Sequence, residues 1–309
     1  MMADRTASPN YRQGIICILC SAFSFALMGM FVHLADLHGD PLPAIQKSFF
    51  RNLIAFLIAG ILFIRHRSRN ALAMPRAGWP PLILRALFGT LGIFANFYAL
   101  SHIPIGNAAI LNNLSPFFAV LFSWFWIGEK INARQLFTVI GAFIGALFVI
   151  KPTFAIRTIL PELVGFSSGR FAGAAYACVR RLGILQVDAR LIILFFSGTS
   201  CLIALPFIVF GYHPMTAAQF WILIGAGAAA AGGQFGITAA YRAAPPRDIA
   251  VYDYTNILFA ALLGYLVFGQ KADRYSWLGF AIILAMAFCM YRPQRAVPTP
   301  SNHPQPRGA

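Results

Sequence analysis

The sequence falls into apolar stretches of about twenty residues, separated by short polar turns. A stretch of that length is what an α-helix needs to cross the hydrocarbon core of a bilayer. Ten can be placed, at roughly 13–35, 44–64, 80–100, 106–127, 134–151, 161–182, 190–211, 218–240, 248–268 and 275–291. None shows strand-like alternation. In lipid every backbone N–H and C=O must be satisfied within a helix or a closed sheet, so the pattern predicts an all-α integral membrane protein. Composition agrees: 59% of residues are apolar and 11% charged, against about 25% charged in soluble domains. The first stretch is too long for the apolar part of a signal peptide, and no small-x-small cleavage site follows it before Asp36. It reads as helix 1.

A formal charge of +15 raises the possibility of a nucleic-acid partner, but its distribution points elsewhere. With the N-terminus inside, the cytoplasmic segments hold most of the cations: Arg5, Arg12, Arg65, Arg67, Arg69, Arg76, Lys130, Arg134, Arg180, Arg181, Arg190, Arg242, Arg247, Arg292, Arg295 and Arg307. The outer segments hold only Lys151, Arg157, Lys271 and Arg274. This is the positive-inside bias, and anionic headgroups account for the excess charge without nucleic acid. A multi-pass protein of a bacterial-type inner (plasma) membrane is expected, with both termini cytoplasmic. Residues 1–12 form one tail, and the Pro-rich segment 292–309 reads as a disordered one.

The chain also repeats itself. The 27 residues Pro104–Lys130 recur as Pro245–Lys271 at a constant shift of 141 positions. Pro104, Ala109, Phe118, Ala119, Leu121, Gly128 and Lys130 match Pro245, Ala250, Phe259, Ala260, Leu262, Gly269 and Lys271. Five helices per copy is an odd number, so the second copy enters the membrane from the opposite side. The expected organisation is a first repeat at 13–151, a linker at 152–160 and a second repeat at 161–291. The two are inverted about an axis in the membrane plane, with the substrate site where they meet.

The stretch from Ala99 through SHIPIGNAAILNNLSPFFAVLFSWFWIGEKINARQLFTVIGAFIGALFVIKP resembles the EamA-type repeat of the drug/metabolite transporter superfamily. The second half, AYRAAPPRDIAVYDYTNILFAALLGYLVFGQKADRYSWLGF, resembles the second such repeat, with Gln270 where Glu is usual. PAIQKSFFRN at 43–52 is similar to the start of the family's second helix. The resemblance implies a ten-helix carrier and does not specify the substrate, since members move amino acids, nucleosides, S-adenosylmethionine, vitamins and other metabolites. Small four-helix members couple transport to protons through a helix-1 glutamate. Helix 1 here has no acid, only Ser21, Ser24 and the Cys17/Cys20 pair, so that mechanism does not carry over.

Ionisable groups inside a membrane span are the first candidates for a transport site. Arg170 sits near the middle of helix 6, and Asp253 lies well inside helix 9, where the sequence is Val-Tyr-Asp-Tyr-Thr-Asn from Val251 to Asn256. On an α-helix Tyr252, Asp253 and Asn256 share a face. Their repeat partners are Asn112 for Asp253 and Ser115 for Asn256. Pro116 removes a backbone hydrogen bond beside this cluster and is the expected hinge. Asn96 on helix 3, Tyr176 on helix 6 and Gln234 on helix 8 complete the expected substrate set. Lys47, Arg51 and Arg85 are read as interfacial anchors, and the glycine stripes Gly165/Gly169/Gly173 and Gly141/Gly145 as helix-packing surfaces. Asp253 is the candidate for proton coupling.

The six His and five Cys show no metal-ligand spacing, and no metal or cofactor is expected. No nucleophile–base pair suggests an enzyme, and no G-x-x-x-x-G-K-[ST] loop suggests a primary pump. The reading is a secondary carrier of small metabolites working by alternating access, most simply an exporter of amino acids or related compounds. Uptake of a heterocyclic or cationic metabolite, such as S-adenosylmethionine or a vitamin, is the alternative. A passive channel and a membrane-embedded enzyme are the readings from other classes. The sequence is compatible with a monomer or a homodimer.

Overall fold

The computed structural model describes residues 10–40, 42–65, 74–102, 111–150, 159–269 and 273–290. The two tails, the start of the expected span 106–127, most of the linker 152–160 and the turn at Gln270–Lys271 lie outside them. In chain order the helices are α1 (Tyr11–Asp36), α2 (Ala44–Arg65), α3 (Trp79–His102), α4 (Ser115–Ile127), α5 (Ala133–Ile150), α6 (Ile159–Ile184), α7 (Ala189–Gly211), α8 (Ala217–Ala243), α9 (Pro246–Phe268) and α10 (Arg274–Met290). Among the described residues there is no strand.

Among the described residues six helical stretches are long and apolar enough to cross a membrane: α1, α2, Arg76–Asn96, α7, α8 and α9. The expected spans 106–127, 134–151 and 275–291 each run into residues outside the description and are present as the shorter apolar helices Ser115–Ile127, Ala133–Phe148 and Arg274–Cys289. α6 is as long as α1 but carries Glu162, Arg170, Arg180 and Arg181, which lowers its hydropathy. The outer surface is apolar. Phe210 is 90% exposed, Phe288 78% and Phe125 75%, on a scale of exposure that water does not tolerate and lipid does.

Helix contacts follow a regular plan. α1 packs on α8 and α9, α3 on α6 and α7, α2 on α7 and α8, α4 on α6, and α5 on α10. Replacing each helix by the one five places along returns the same pairings: α1–α8 becomes α6–α3, α1–α9 becomes α6–α4, and α2–α8 becomes α7–α3. α2–α7 and α5–α10 map onto themselves. Small residues let the paired backbones approach, as lipid-embedded interfaces require. Gly165, Gly169 and Gly173 face Leu111, Leu114 and Phe118, while Gly141 and Gly145 face Met286 and Gly279 of α10. Ser21 donates to the Gly233 carbonyl at 2.8 Å, fastening α1 to α8.

Two local features recur at the 141-residue spacing. Gly128 and Gly269 end α4 and α9 in the left-handed conformation, at φ 79° and 66°, which glycine adopts without a Cβ clash. Their N–H groups donate to the carbonyls of Trp124 and Tyr265 at 3.1 and 3.0 Å. The second is looser: helical geometry breaks in both halves, with Asn113 and its counterpart Tyr254 common to the two breaks. Asn113 and Leu114 form a turn just before α4, and Ala250–Tyr254 is a 3₁₀ segment inside α9.

Both ends of the bundle are tied. At one end Glu129 accepts from Arg180 Nε at 2.8 Å and from Ser123 Oγ at 2.5 Å, and the Asn10 N–H donates to the Ala243 carbonyl at 3.1 Å. At the other end Lys47 pairs with Asp36 at 2.6 Å, and Gln219 Nε2 donates to the carbonyls of Ala35 and Asp40.

Candidate functional site

Between these ends lies a cavity of about 240 Å³, bounded by residues of α1, α2, α3, α6, α7, α8 and α9 together with α4 and the turn before it. Its lining includes Asn96, Asn112, Ser115, Tyr176, Gln234, Asp253 and Asn256, all singled out from the sequence. Arg51, Arg85 and Asn113 join them, with Phe25 and Phe196 as apolar walls.

Arg85 is fixed from three sides. Leu82 and Ala86 seat its stretch of α3 in the core. The guanidinium carbon lies 4.0 Å from the centroid of the Phe196 ring, a cation–π contact. Nη2 donates to Gln234 Oε1 at 3.1 Å, joining α3 to α8. Gly89 leaves the room: a Cβ there would collide with Arg85 Nη1 and the Phe196 ring. Arg85 is only 3% exposed, yet its Nε has no hydrogen-bond partner. Arg51, on α2, lies over the Phe25 ring at 5.9 Å, and its Nε is also buried and unpartnered.

Asp253 reaches the cavity from the 3₁₀ segment of α9. Among the described residues no hydrogen bond or ion pair engages its carboxylate. Asn256, beside it, donates from Nδ2 to the Ala22 carbonyl at 2.8 Å and so anchors this part of α9 on α1. Tyr176 lies within electrostatic reach of Asp253, Arg85 and Arg51, and its ring packs 5.1 Å from that of Tyr241. The hydroxyls of Tyr241 and Tyr254 and Oγ1 of Thr238 are buried without partners. The cavity therefore holds two guanidinium groups and one carboxylate that do not neutralise each other. Burial away from water strengthens the field of each.

Three expected positions differ from the sequence reading. Arg170 is exposed on the surface of α6 and does not line the cavity. Helix rotation is the reason: at about 100° per residue, Arg170 points away from Ala172, Ala175 and Tyr176, which do line it. Tyr252 is 6% exposed and packs into the main hydrophobic core. An α-helix would have placed it beside Asn256, but three residues per turn in the 3₁₀ segment align Asp253 with Asn256 and turn Tyr252 away. Pro116 occupies the first turn of α4, so the irregular backbone falls at Asn113–Leu114, ahead of it. The reading of Arg51 and Arg85 as interfacial anchors is also corrected, since both line the cavity. An arginine inside a predicted span was the available signal, outweighed by closeness to the helix ends.

Comparison with known proteins adds an independent line. Residues 12–151 match the sequence model of the EamA-like transporter family. The "Pseudopaline exporter CntI" of Pseudomonas aeruginosa is 28% identical over 285 residues, covering 92% of this chain and 98% of the relative. The "Riboflavin transporter" of Vibrio cholerae is 28% identical over 286 residues, covering 89% and 92%. A solved crystal structure superposes with a TM-score of 0.78 at 18% identity, over 91% of this chain and 96% of the other, a likeness of fold.

Proposed function

Because the chain belongs to the EamA-like transporter family, we propose that this small-molecule transporter is a secondary carrier that exports amino acids or related metabolites by alternating access. The observation that carries the reading is the cavity between the tied ends of the bundle, where Arg51, Arg85 and Asp253 face a common space without ion-pair partners. An intramembrane charge without a protein partner is costly, and such groups mark substrate and ion pathways.

Ten spans arranged as two inverted repeats suit this reading. The exchange symmetry of the helix pairings and the matched glycine ends at Gly128 and Gly269 support it. The turn before α4 and the 3₁₀ segment inside α9 both lie at the cavity, and carriers of this type build their sites on such non-α-helical backbone. With both termini cytoplasmic, as the charge bias indicates, the Glu129–Arg180 pair ties the inner end and the Asp36–Lys47 pair lies at the outer end. Pro116 and the turn before it form a hinge. Asp253 couples transport by holding either a proton or the substrate cation, so that one leaves as the other binds.

Proteoliposomes containing the purified protein test the reading. Accumulation of a metabolite against its own gradient, driven by an imposed pH gradient, is expected. Flux that only dissipates gradients identifies a channel instead. The similarity to riboflavin transporters favours uptake of a vitamin as the second reading, and riboflavin belongs in the same assay.

A further inference from the structure

We propose that the cavity selects compounds carrying two anionic groups and one ammonium, amino dicarboxylates above all, with Arg51 and Arg85 each taking a carboxylate and Asp253 the ammonium. The proposal rests on the reading of this cavity as the substrate site.

Donor supply is the first argument. A guanidinium offers five N–H donors in a planar fork. Arg85 gives one to Gln234, and among the described residues none of Arg51's is accepted by a protein group. Such groups are held out of water with most of their donors unused, a costly arrangement unless an anion completes it. The Arg85 guanidinium carbon lies 4.0 Å from the Phe196 ring centroid, and among the described residues its Nη1 donates to no protein group, so donors remain for a carboxylate.

Charge balance is the second. Arg51 and Arg85 lie within electrostatic reach of each other, and Asp253 forms an ion pair with neither. A neutral zwitterion with a single carboxylate leaves one guanidinium unanswered, and a cation answers neither. A compound with two carboxylates and one ammonium neutralises all three groups. Tyr176, which lines the cavity within electrostatic reach of Asp253, adds an aromatic ring that favours a cationic group there. The volume of about 240 Å³ falls below the usual range for drug-sized ligands, roughly 300–1,000 Å³, which suits a ligand of amino-acid dimensions.

The test measures thermal stabilisation of the purified full-length protein by L-glutamate, L-glutamine, glutarate and putrescine. Glutamine removes one anionic group, glutarate lacks the ammonium, and putrescine lacks both anions. The expected result is half-maximal stabilisation by L-glutamate at a concentration about tenfold or more below the other three, as the loss of one charged hydrogen-bonded pair implies. In Arg51→Gln and Arg85→Gln the preference for glutamate over glutamine is expected to disappear, and the wild-type series decides alone if a variant fails to fold. Equal or tighter binding of glutamine or putrescine, or no stabilisation by glutamate, overturns the proposal. Glutamate that binds but is not exchanged in proteoliposomes removes the transport reading and leaves the binding inference standing. Export of an uncharged metabolite without glutamate binding does the reverse.

Discussion

Arg85 Nη2 donates to Gln234 Oε1 at 3.1 Å, a buried hydrogen bond between α3 and α8 that joins the first half of the chain to the second. Gln234 accepts from the guanidinium without neutralising it, so the charge stays available to the cavity. Arg85→Gln should reduce transport efficiency by on the order of ten- to a hundredfold, the weight of a charged hydrogen bond or two. Arg85→Lys should recover only part, because an ammonium neither stacks as well on Phe196 nor presents two parallel donors. Initial rates in vesicles against substrate concentration measure both.

Gly89 allows that geometry, since Arg85 Nη1 and the Phe196 ring fill the space where a side chain would start. Gly89→Ala is expected to displace the guanidinium and reduce transport about as much as removing the charge, while alanine remains a good helix residue. Circular dichroism should show unchanged helix content in the same preparation. Full transport by this variant would show that the stacked position of Arg85 is unimportant.

Much of this site can be read from the sequence, for a physical reason. Polar residues in apolar spans are few, and Asn96, Asn112, Ser115, Tyr176, Gln234, Asp253 and Asn256 stand out because lipid leaves them nowhere else to point. Orientation about a helix axis is harder to read. Arg170 sits at the right depth on the wrong face, and a 3₁₀ segment with no proline in it rotates Tyr252 away from Asn256. Arg51 and Arg85 sit near enough to helix ends for snorkelling to explain them. Only the rings of Phe25 and Phe196, brought in from other helices, reveal that they turn inward.

Arg170 itself should be dispensable for transport. It is exposed and lies outside the cavity, so Arg170→Ala is expected to change flux by less than about twofold, as for surface substitutions away from a packed or paired feature. Loss of transport in this variant would return the residue to the site.

Asp253→Asn separates coupling from passage. The amide keeps the size of the side chain but cannot exchange a proton or balance a cation. Accumulation driven by a pH gradient should be lost, while exchange of labelled for unlabelled substrate should persist with weaker affinity. Retention of pH-driven accumulation in the variant would assign coupling to another group.

The Glu129–Arg180 pair makes a separate prediction, about the end of the bundle rather than its centre. The two side chains are each 11% exposed and 2.8 Å apart, and they join the C-terminal side of α4 to α6. Ser123 Oγ donates to the second carboxylate oxygen, and Arg180 Nη1 reaches the Arg242 carbonyl at 3.4 Å. The pair therefore ties three helices, Glu129 at the end of α4 and Arg180 from α6 reaching on to α8. Removing one partner of a buried pair leaves the other uncompensated, at a cost of about 3–5 kcal/mol. Glu129→Gln should lower the melting temperature of the purified protein and, by loosening this end, increase labelling of a cysteine introduced at Tyr176 by a reagent applied from that side. Reversing the pair, with Glu129→Arg and Arg180→Glu together, should restore part of both properties. Equal labelling in all three proteins would show that the pair supports stability without closing the pathway.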